Sequence, residues 1–402
     1  MKQIDVIYSE SLDSIIGPVQ TIKRIIRDSS FFEGEGYKIT VYTKSSLPTQ
    51  AIARVKKKKS HLVKTILKIA RWFAQNSYLY AKYRIELFYT ETHRLLDYYM
   101  SLDRHPDAIV FHSTFDSYEY FMHYKKDGVK IIQFTHSDGF VNRMLFTYFS
   151  KAKGTSIEKT VQQREKYVMD HIDMNACIAK IEEKNLIMQY PQIKGRTHQV
   201  INGIDDLSIE VLNESRAIRK ENSTPKYRLA CAGGINGRKG QWMIIEAMHK
   251  LPRHILGNMH LYLIGDGPEK IVLENRVADY GLQNNVTFEG SVPNTEVYKY
   301  LAKANIFVLM SAIEGLPIAL LEALRSSMAI IATNVSGIPE LIDEGVNGFL
   351  VEHDIDKLVD ILKDMEKHDW DEMGRNSRKK FEAQYTFLRM RQNYVDMLNR
   401  LW

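Results

Sequence analysis

The sequence of 402 residues has few cysteines and no long apolar run, and both deficits exclude classes of protein. Its two cysteines, Cys177 and Cys231, are too few for a disulfide framework and lie in apolar stretches, which predicts buried thiols in a reducing compartment. No stretch approaches the roughly 18 consecutive apolar residues of a transmembrane helix. Glu10 and Asp13 come before any apolar segment develops, so we expect no signal peptide and a cytoplasmic location.

The chain also has little excess charge of either sign. Fifty-five Lys and Arg against 49 Asp and Glu leave a net charge of +6, so we expect no nucleic-acid partner. Hydrophobic residues make up 44% of the sequence and charged residues 26%, which excludes a disordered chain. Because a single core rarely grows beyond about 250–300 residues, this length predicts two domains.

The excess positive charge is concentrated in residues 51–100, with eleven Lys or Arg and three Asp or Glu. Wound as a helix, residues 62–73 place apolar side chains on one arc and three basic side chains on the other. Together with four lysines at 56–59, this pattern predicts contact with an anionic membrane surface through residues 56–73, at the inner face of the cell membrane. An ordinary surface helix packed on its own sheet is the alternative.

Short β-branched runs alternate with helix-length segments, which is typical of βαβ units around parallel sheets. The runs of the first half are 4–8, 39–42, 108–112, 131–135, 174–178 and 199–201, and those of the second half are 228–232, 261–264, 286–289, 306–310, 329–333 and 348–351. The polar segment 205–226 separates the two sets. We therefore predict an α/β protein with two Rossmann-like, doubly wound domains, 1–205 and 206–384, facing a cleft, with a helix in 385–402 packing back on the first domain.

The loop after the first strand of the second domain is rich in glycine and carries two adjacent cations. It runs from Gly233 to Gly240, and Arg238 and Lys239 lie beside the start of a predicted helix at Gln241. Free N–H groups and the helix dipole favour an anion there, so the loop indicates phosphate binding. A flexible loop with solvated cations is the alternative.

Two glutamates flank the predicted start of a helix at Pro317. Glu314 comes just before that helix, and Glu322 lies about one and a half turns into it. The free amides of a helix start bind anions, and carboxylates can chelate vicinal hydroxyl groups. The pattern predicts a site for a phosphate joined to two polyols, such as a ribose and a hexose.

The sequence Glu314-Gly-Leu-Pro-x4-Glu322 resembles the E-x7-E motif of the retaining glycosyltransferases of family 4, which have the two-domain GT-B fold. Other segments similar to signatures of that family are 200–205, 264–269, 286–290, 333–340 and 345–351. The likeness extends over about residues 228–352, and it points to the bacterial polysaccharide and glycolipid type.

The resemblance implies transfer of a hexose-type sugar from a nucleotide-diphosphate sugar to a hydroxyl of a glycan or lipid-linked acceptor in cell-surface polysaccharide synthesis. The donor is a substrate, and neither a cofactor nor a divalent metal is expected. The implied catalytic residues are His136, Glu314 and Lys239, and the implied donor-binding residues are Gly17, Gly234, Arg238, Lys239, Gly315, Leu316, Pro317 and Glu322. Lys239 and Arg238 would hold the pyrophosphate, Glu322 the ribose and Glu314 the transferred sugar.

Two further patterns are interpreted by position. His112 follows a strand in the same way as His136, with a weaker match to the family. Asp354-Ile355-Asp356 spells the Asp-x-Asp of metal-dependent transferases, but it precedes a predicted helix, so we interpret it as a helix cap. A nucleotide-sugar epimerase or hydrolase, and a non-catalytic GT-B partner protein, are the alternative functions.

Overall fold

A computed structural model describes residues 1–14, 16–48 and 77–402 of the chain. The basic segment predicted to contact a membrane, 56–73, lies outside the described residues. None of the described helices combines the length and apolar character needed to cross a membrane.

The chain forms two compact units. The first comprises residues 1–178, 182–200 and 393–402, and the second comprises residues 179–181 and 201–392. The main part of the second unit thus begins at Ile201, whereas the sequence pattern places the start of the second domain at residue 206.

The first unit is built on a parallel sheet of six strands in the order β2-β1-β3-β4-β5-β6. The strands are β1 (Lys2–Tyr8), β2 (Tyr37–Thr43), β3 (Ala108–Phe111), β4 (Lys130–Phe134), β5 (Met174–Cys177) and β6 (Thr197–Gln199). The described helices are α1 (Gly17–Arg27), α2 (Ser29–Gly34), α3 (Tyr78–Ser101), α4 (Thr114–His123), α5 (Arg143–Tyr148), α6 (Ser156–His171) and α7 (Lys180–Gln189). In the register, Ile4 pairs with both Ile39 and Ala108.

The second unit repeats this plan with the order β12-β11-β10-β7-β8-β9. Its strands are β7 (Tyr227–Ala232), β8 (Met259–Ile264), β9 (Val286–Gly290), β10 (Ile306–Leu309), β11 (Ala329–Thr333) and β12 (Gly348–Val351). The helices are α8 (Ile209–Glu221), α9 (Gln241–His249), α10 (Arg253–Leu256), α11 (Lys270–Asp279), α12 (Val297–Leu301), α13 (Ile318–Arg325), α14 (Ile355–Lys363) and α15 (Trp370–Gln384). The last helix, α16 (Phe387–Asn399), begins in this unit, and its residues from 393 onward belong to the first unit.

Strands in the middle of both sheets are buried along their whole length. Every residue of β3, β7, β10 and β11 is buried. Helices cover both faces of such a sheet, which explains why these strands read in the sequence as continuous apolar runs without polar alternation. This confirms the predicted pair of doubly wound α/β sheets, and each of the twelve predicted runs contains part of a strand.

The polar segment 205–226 is where the linker prediction needs correction. It contains α8, and Ser208 is the N-cap of this helix. The hydroxyl of Ser208 accepts a hydrogen bond from the amide of Val211 at 3.3 Å. None of the residues of α8 is buried, which accounts for its polar composition. A capped, exposed helix therefore produces the composition of a linker.

The Asp-x-Asp sequence lies at the start of α14, as predicted. Asp354 is the N-cap, and its carboxylate accepts hydrogen bonds from the amides of Asp356 and Lys357 at 2.8 and 3.2 Å. Asp356 pairs with Lys250 at the surface. Both acids thus have a structural partner at this helix end.

We predict that Asp354→Ala lowers the free energy of unfolding by about 1 kcal/mol, because two amides of the first turn lose their acceptor. Asp356→Ala is the matched control and should unfold close to the wild type, since it removes only an exposed ion pair. Urea unfolding followed by circular dichroism measures both. Equal stability of Asp354→Ala and the wild type would contradict the capping role.

Candidate functional site

The site predicted in the second unit lies where its strand order reverses. Strand β7 lies between β10 and β8, so the chain leaves β7 in one direction and returns on its other side at β10. Ligands of open α/β sheets bind outside the carboxyl ends of the strands at such a switch point. The glycine-rich loop follows β7 and the Glu314 segment follows β10, so both lie at this position.

Two glycines allow the loops at this edge to touch through their backbones. Gly240 has φ +69°, and a Cβ added to it would lie 1.9 Å from the carbonyl oxygen of Met310. A Cβ on Gly267 would lie 2.1 Å from the carbonyl oxygen of Ile235. Any larger residue would force these loops apart, so glycine is needed at both positions.

Arg238 and Lys239 share one carboxylate. The Nζ of Lys239 lies 2.7 Å from Oε1 of Glu314, and Nη1 of Arg238 lies 3.1 Å from the same oxygen. The three side chains are only 14%, 13% and 7% exposed, for Lys239, Arg238 and Glu314 respectively. The structure therefore brings together three of the residues implied by the resemblance, in a cluster with one net positive charge.

The charge states follow from this arrangement. Burial alone would raise the pKa of Glu314, but Lys239 and Arg238 outweigh it and hold the pKa below its usual value. The backbone fixes Arg238 as well, because its Nη1 donates to the carbonyl of Ile313 at 2.8 Å and its own carbonyl accepts from the amide of Ala312 at 2.8 Å. The guanidinium Nε has no hydrogen-bond partner among the described residues.

The start of α13 lies directly after Glu314. Pro317 is the N-cap of this helix, one position earlier than its predicted place at the first helical residue, and its carbonyl accepts from Leu320 at 3.0 Å. The amides of Ile318 and Ala319 have no acceptor within the described part of the chain. A helix start with free amides adds to the attraction for an anion.

The other donor-binding candidates of the second unit surround this helix start. Gly315 accepts a hydrogen bond from the amide of Gly337 at 3.0 Å, and Leu316 is buried. Glu322 lies half-buried in α13. The carbonyl of Gly234 accepts from the side-chain amide of Gln241 at 3.1 Å, which ties the glycine-rich loop to α9.

Gly17 and His136 belong to the first unit. Gly17 is the first residue of α1, and a Cβ added to it would meet nothing within 4 Å, so crowding by the described residues does not require glycine there. His136 follows β4 and lies next to His112, which follows β3. The Nδ1 of His112 and the Nε2 of His136 are 2.8 Å apart, and the two rings stack.

This pairing makes His112 part of the same candidate site as His136, although His112 matches the family less well. Burial lowers the pKa of His136 to about 3, and burial with the neighbouring His136 lowers the pKa of His112 well below its usual value. Both rings are therefore neutral at pH 7, and one hydrogen bond joins them. Strand-end placement was the signal for both residues, and the sheet order β3-β4 makes them neighbours.

Glu182 is a buried carboxyl group that sequence reasoning missed. Its Oε1 accepts from the amide and the hydroxyl of Ser137 at 2.8 and 3.1 Å, and its Oε2 accepts from the amide of Ile178 at 2.6 Å. It thereby fixes the loop that follows His136. Burial raises its pKa to about 7 despite these hydrogen bonds.

Comparison with known proteins shows what the second unit is similar to. Residues 213–384 match the family described as glycosyl transferases group 1. The matched segment is less than half of the chain. It contains the whole cluster of Arg238, Lys239 and Glu314 and the helix start beside it.

Two curated proteins similar to this chain come from a plant and a bacterium. A phosphatidylinositol N-acetylglucosaminyltransferase component of Arabidopsis thaliana is 24% identical over 62% of this chain and 52% of its own length. The amylovoran biosynthesis glycosyltransferase AmsK of Erwinia amylovora is 34% identical over 34% of this chain and 35% of its own length. The matched parts thus span about a third to a half of these relatives.

The likeness of the folds extends beyond the matched segment 213–384. The structure of HepE from Anabaena in complex with UDP-glucose superimposes with a TM-score of 0.64 at 15% identity, covering 100% of both chains. At this identity the match concerns the fold alone. The two six-stranded parallel sheets of the chain have the GT-B architecture.

We predict that Glu182 makes the stability of the protein fall as the pH rises. Its folded-state pKa of about 7 lies above the ordinary value of 4.5, so its contribution is complete below pH 4.5 and is lost as the pH rises through 7. The loss is on the order of 3 kcal/mol. Unfolding free energies of the wild type and Glu182→Gln between pH 4.5 and 8 test this, because the variant lacks the titration.

The difference between the two proteins isolates Glu182 from other titrating groups, which are common to both. The stability advantage of the wild type should therefore shrink with rising pH. Parallel pH profiles of the two proteins would show that Glu182 keeps its ordinary pKa in the folded state.

Proposed function

We propose that the chain is a retaining, family 4 glycosyltransferase that moves a hexose-type sugar from a nucleotide-diphosphate sugar to a hydroxyl of a glycan or lipid-linked acceptor. The observation that carries this proposal is the buried cluster of Arg238, Lys239 and Glu314 at the switch point of the second sheet.

The net positive charge of the cluster supports a diphosphate as its ligand. Two cations with one carboxylate between them leave one charge uncompensated in a site that is more than four-fifths shielded from water. An incoming diphosphate restores neutrality, and each charge-assisted hydrogen bond contributes about 1.5–3 kcal/mol. The unpartnered Nε of Arg238 and the first amides of α13 are further donors for phosphate oxygens.

The chemistry of sugar transfer needs what this cluster offers. The bond from the sugar to the diphosphate breaks through an oxocarbenium-like state, so negative charge grows on the leaving group. Lys239 and Arg238 would neutralise that charge without a proton transfer and without a divalent metal. Glu314 would hold hydroxyls of the transferred sugar, with the Gly315–Pro317 backbone against it, and Glu322 would hold the ribose.

The comparisons support the classes of donor and acceptor. HepE was solved with UDP-glucose, the Erwinia relative is named for amylovoran biosynthesis, and the Arabidopsis relative is named for transfer of N-acetylglucosamine to phosphatidylinositol. We propose a nucleoside-diphosphate donor and a role in cell-surface polysaccharide or glycolipid synthesis for this chain on that basis. The contribution of His136 to binding of the transferred sugar stays a prediction.

We predict that Lys239→Ala weakens binding of the nucleotide sugar roughly 10- to 100-fold and lowers turnover about 10²- to 10³-fold. A panel of nucleotide sugars is first screened for thermal stabilisation of the wild type, and release of the nucleoside diphosphate is then measured. Glu322→Ala should lose the stabilisation by the nucleotide itself, since it would remove the contact to the ribose.

Lys250→Ala is the matched control, because Lys250 also forms a lysine–carboxylate pair of 2.6 Å but at the surface. It should bind and turn over the donor like the wild type. If both Lys239→Ala and Glu322→Ala bind and turn over the donor like the wild type, the donor site is overturned. If the wild type binds the donor but releases no nucleoside diphosphate, the result favours the non-catalytic partner protein.

We further predict that the product keeps the anomeric configuration of the donor. In a retaining transfer, the acceptor attacks from the face that the diphosphate leaves, whose oxygen takes the acceptor proton. The coupling constant of the anomeric proton in the nuclear magnetic resonance spectrum of the product reports the configuration. Inversion would remove the family 4 mechanism while leaving the donor site intact.

A further inference from the structure

A second group of polar side chains lies in the first unit, between α3 and α4. It consists of His93 from α3 and of Glu119 and His123 from α4. One ligand atom from each lies within 4.8 Å of the other two. Glu119 and His123 are four residues apart in one helix, so they point to the same side of it. We propose that these three residues bind a divalent transition-metal ion, with Zn²⁺ as the ion that suits them.

The buried carboxylate is the first argument. The side chain of Glu119 is only 6% exposed, and its Oε2 lies 2.7 Å from Nε2 of His93 and 3.4 Å from Nε2 of His123. Even so, no N–H or O–H of the described residues donates a hydrogen bond to this oxygen in acceptable geometry. A buried carboxylate oxygen without a donor is costly, and a cation in front of it removes that cost.

The hydrogen bonds of His93 give the second argument. Its Nδ1 lies 3.3 Å from the hydroxyl of Tyr124, and that hydroxyl donates its proton to Asp97 at 2.5 Å. The Tyr124 oxygen can therefore only accept from His93, which places the proton of the neutral ring on Nδ1. Nε2 is then a lone pair that faces the Glu119 oxygen, so two acceptors meet with no proton between them.

These contacts are those expected of a metal site in which a hydrogen bond orients one of the ligands. A neutral imidazole that binds through one nitrogen commonly donates its other N–H to an oriented oxygen acceptor, as His93 does to Tyr124. Two imidazoles and one carboxylate match the ligand preference of Zn²⁺, with bonds of about 2.0–2.2 Å. His123 is 54% exposed, so its side chain can move to close the distance and water can fill the remaining position.

Binding of the ion would join α3 to α4. It would stabilise the folded state by a free energy that grows with the logarithm of the metal concentration once that concentration exceeds the dissociation constant. This role does not depend on the glycosyltransferase proposal, because the three residues lie outside the matched segment 213–384.

The test uses the tag-free chain of 402 residues, freed of metal with a chelator, and titration calorimetry with ZnCl₂. We expect binding of one Zn²⁺ per chain and a rise of the melting temperature that the chelator reverses. Co²⁺ serves as a second probe, since its visible absorption reports coordination by nitrogen ligands. Mg²⁺, which prefers oxygen ligands in octahedral geometry, should bind far more weakly.

Three variants distinguish Zn²⁺ binding at this cluster from nonspecific Zn²⁺ binding by other histidines. His123→Ala should lose Zn²⁺ affinity by about 100-fold or more, and its exposed position makes it unlike a core truncation. Tyr124→Phe leaves all three ligands in place, removes the hydroxyl that joins His93 to Asp97, and should lose roughly 10-fold in Zn²⁺ affinity. His105→Ala, at a histidine that is 75% exposed outside the cluster, should bind as the wild type does.

Each result decides the matter. Saturable binding with this order of affinities supports the site. Absence of Zn²⁺ binding in the wild type, or equal binding by the wild type and His123→Ala, would overturn the site. Melting curves in the presence of chelator confirm that the variants fold.

Discussion

The candidate site depends on one carboxylate oxygen that two cations share. In water such an ion pair contributes little, but here all three side chains are largely shielded, so removing Glu314 would leave two buried cations without compensation. The carboxylate of Glu314 holds the cations in place, and the backbone of the β10 loop fixes the guanidinium. The remaining positive charge is therefore directed at whatever occupies the switch point.

The close approach of the loops is a condition for this cluster. Lys239 is followed directly by Gly240, whose left-handed conformation brings the chain against the carbonyl of Met310, and Glu314 lies four residues beyond that carbonyl. A side chain at position 240 would separate the cations from the carboxylate. The motif of glycines, cations and glutamates is thus one geometric unit even though it is divided between two loops.

Much of the fold could be predicted because parallel strands covered on both faces need continuous apolar runs. The same reasoning pointed to Glu314 and Lys239, since both lie in the loops that follow such runs. It failed at α8, whose exposed surface is indistinguishable from a linker in composition. It also gave no warning of Glu182, because contacts between a helix side chain and a distant strand-end loop leave no periodic signal in the sequence.

The histidine pair forms because β3 and β4 are neighbours in the sheet. The alternation of strands and helices along the sequence does not give this order. Only one proton lies between Nδ1 of His112 and Nε2 of His136, because both rings are neutral. The Nε2 of His112 is buried without a partner in the described residues, and an orphaned N–H is rarer than an orphaned acceptor. This favours His112 as the donor of the shared hydrogen bond, which leaves the second proton of the pair on Nδ1 of His136. The pair then has a neutral N–H at the carboxyl end of β4. Under the proposed function, such a donor would bind a sugar oxygen without repelling the positive charge that develops on the sugar ring.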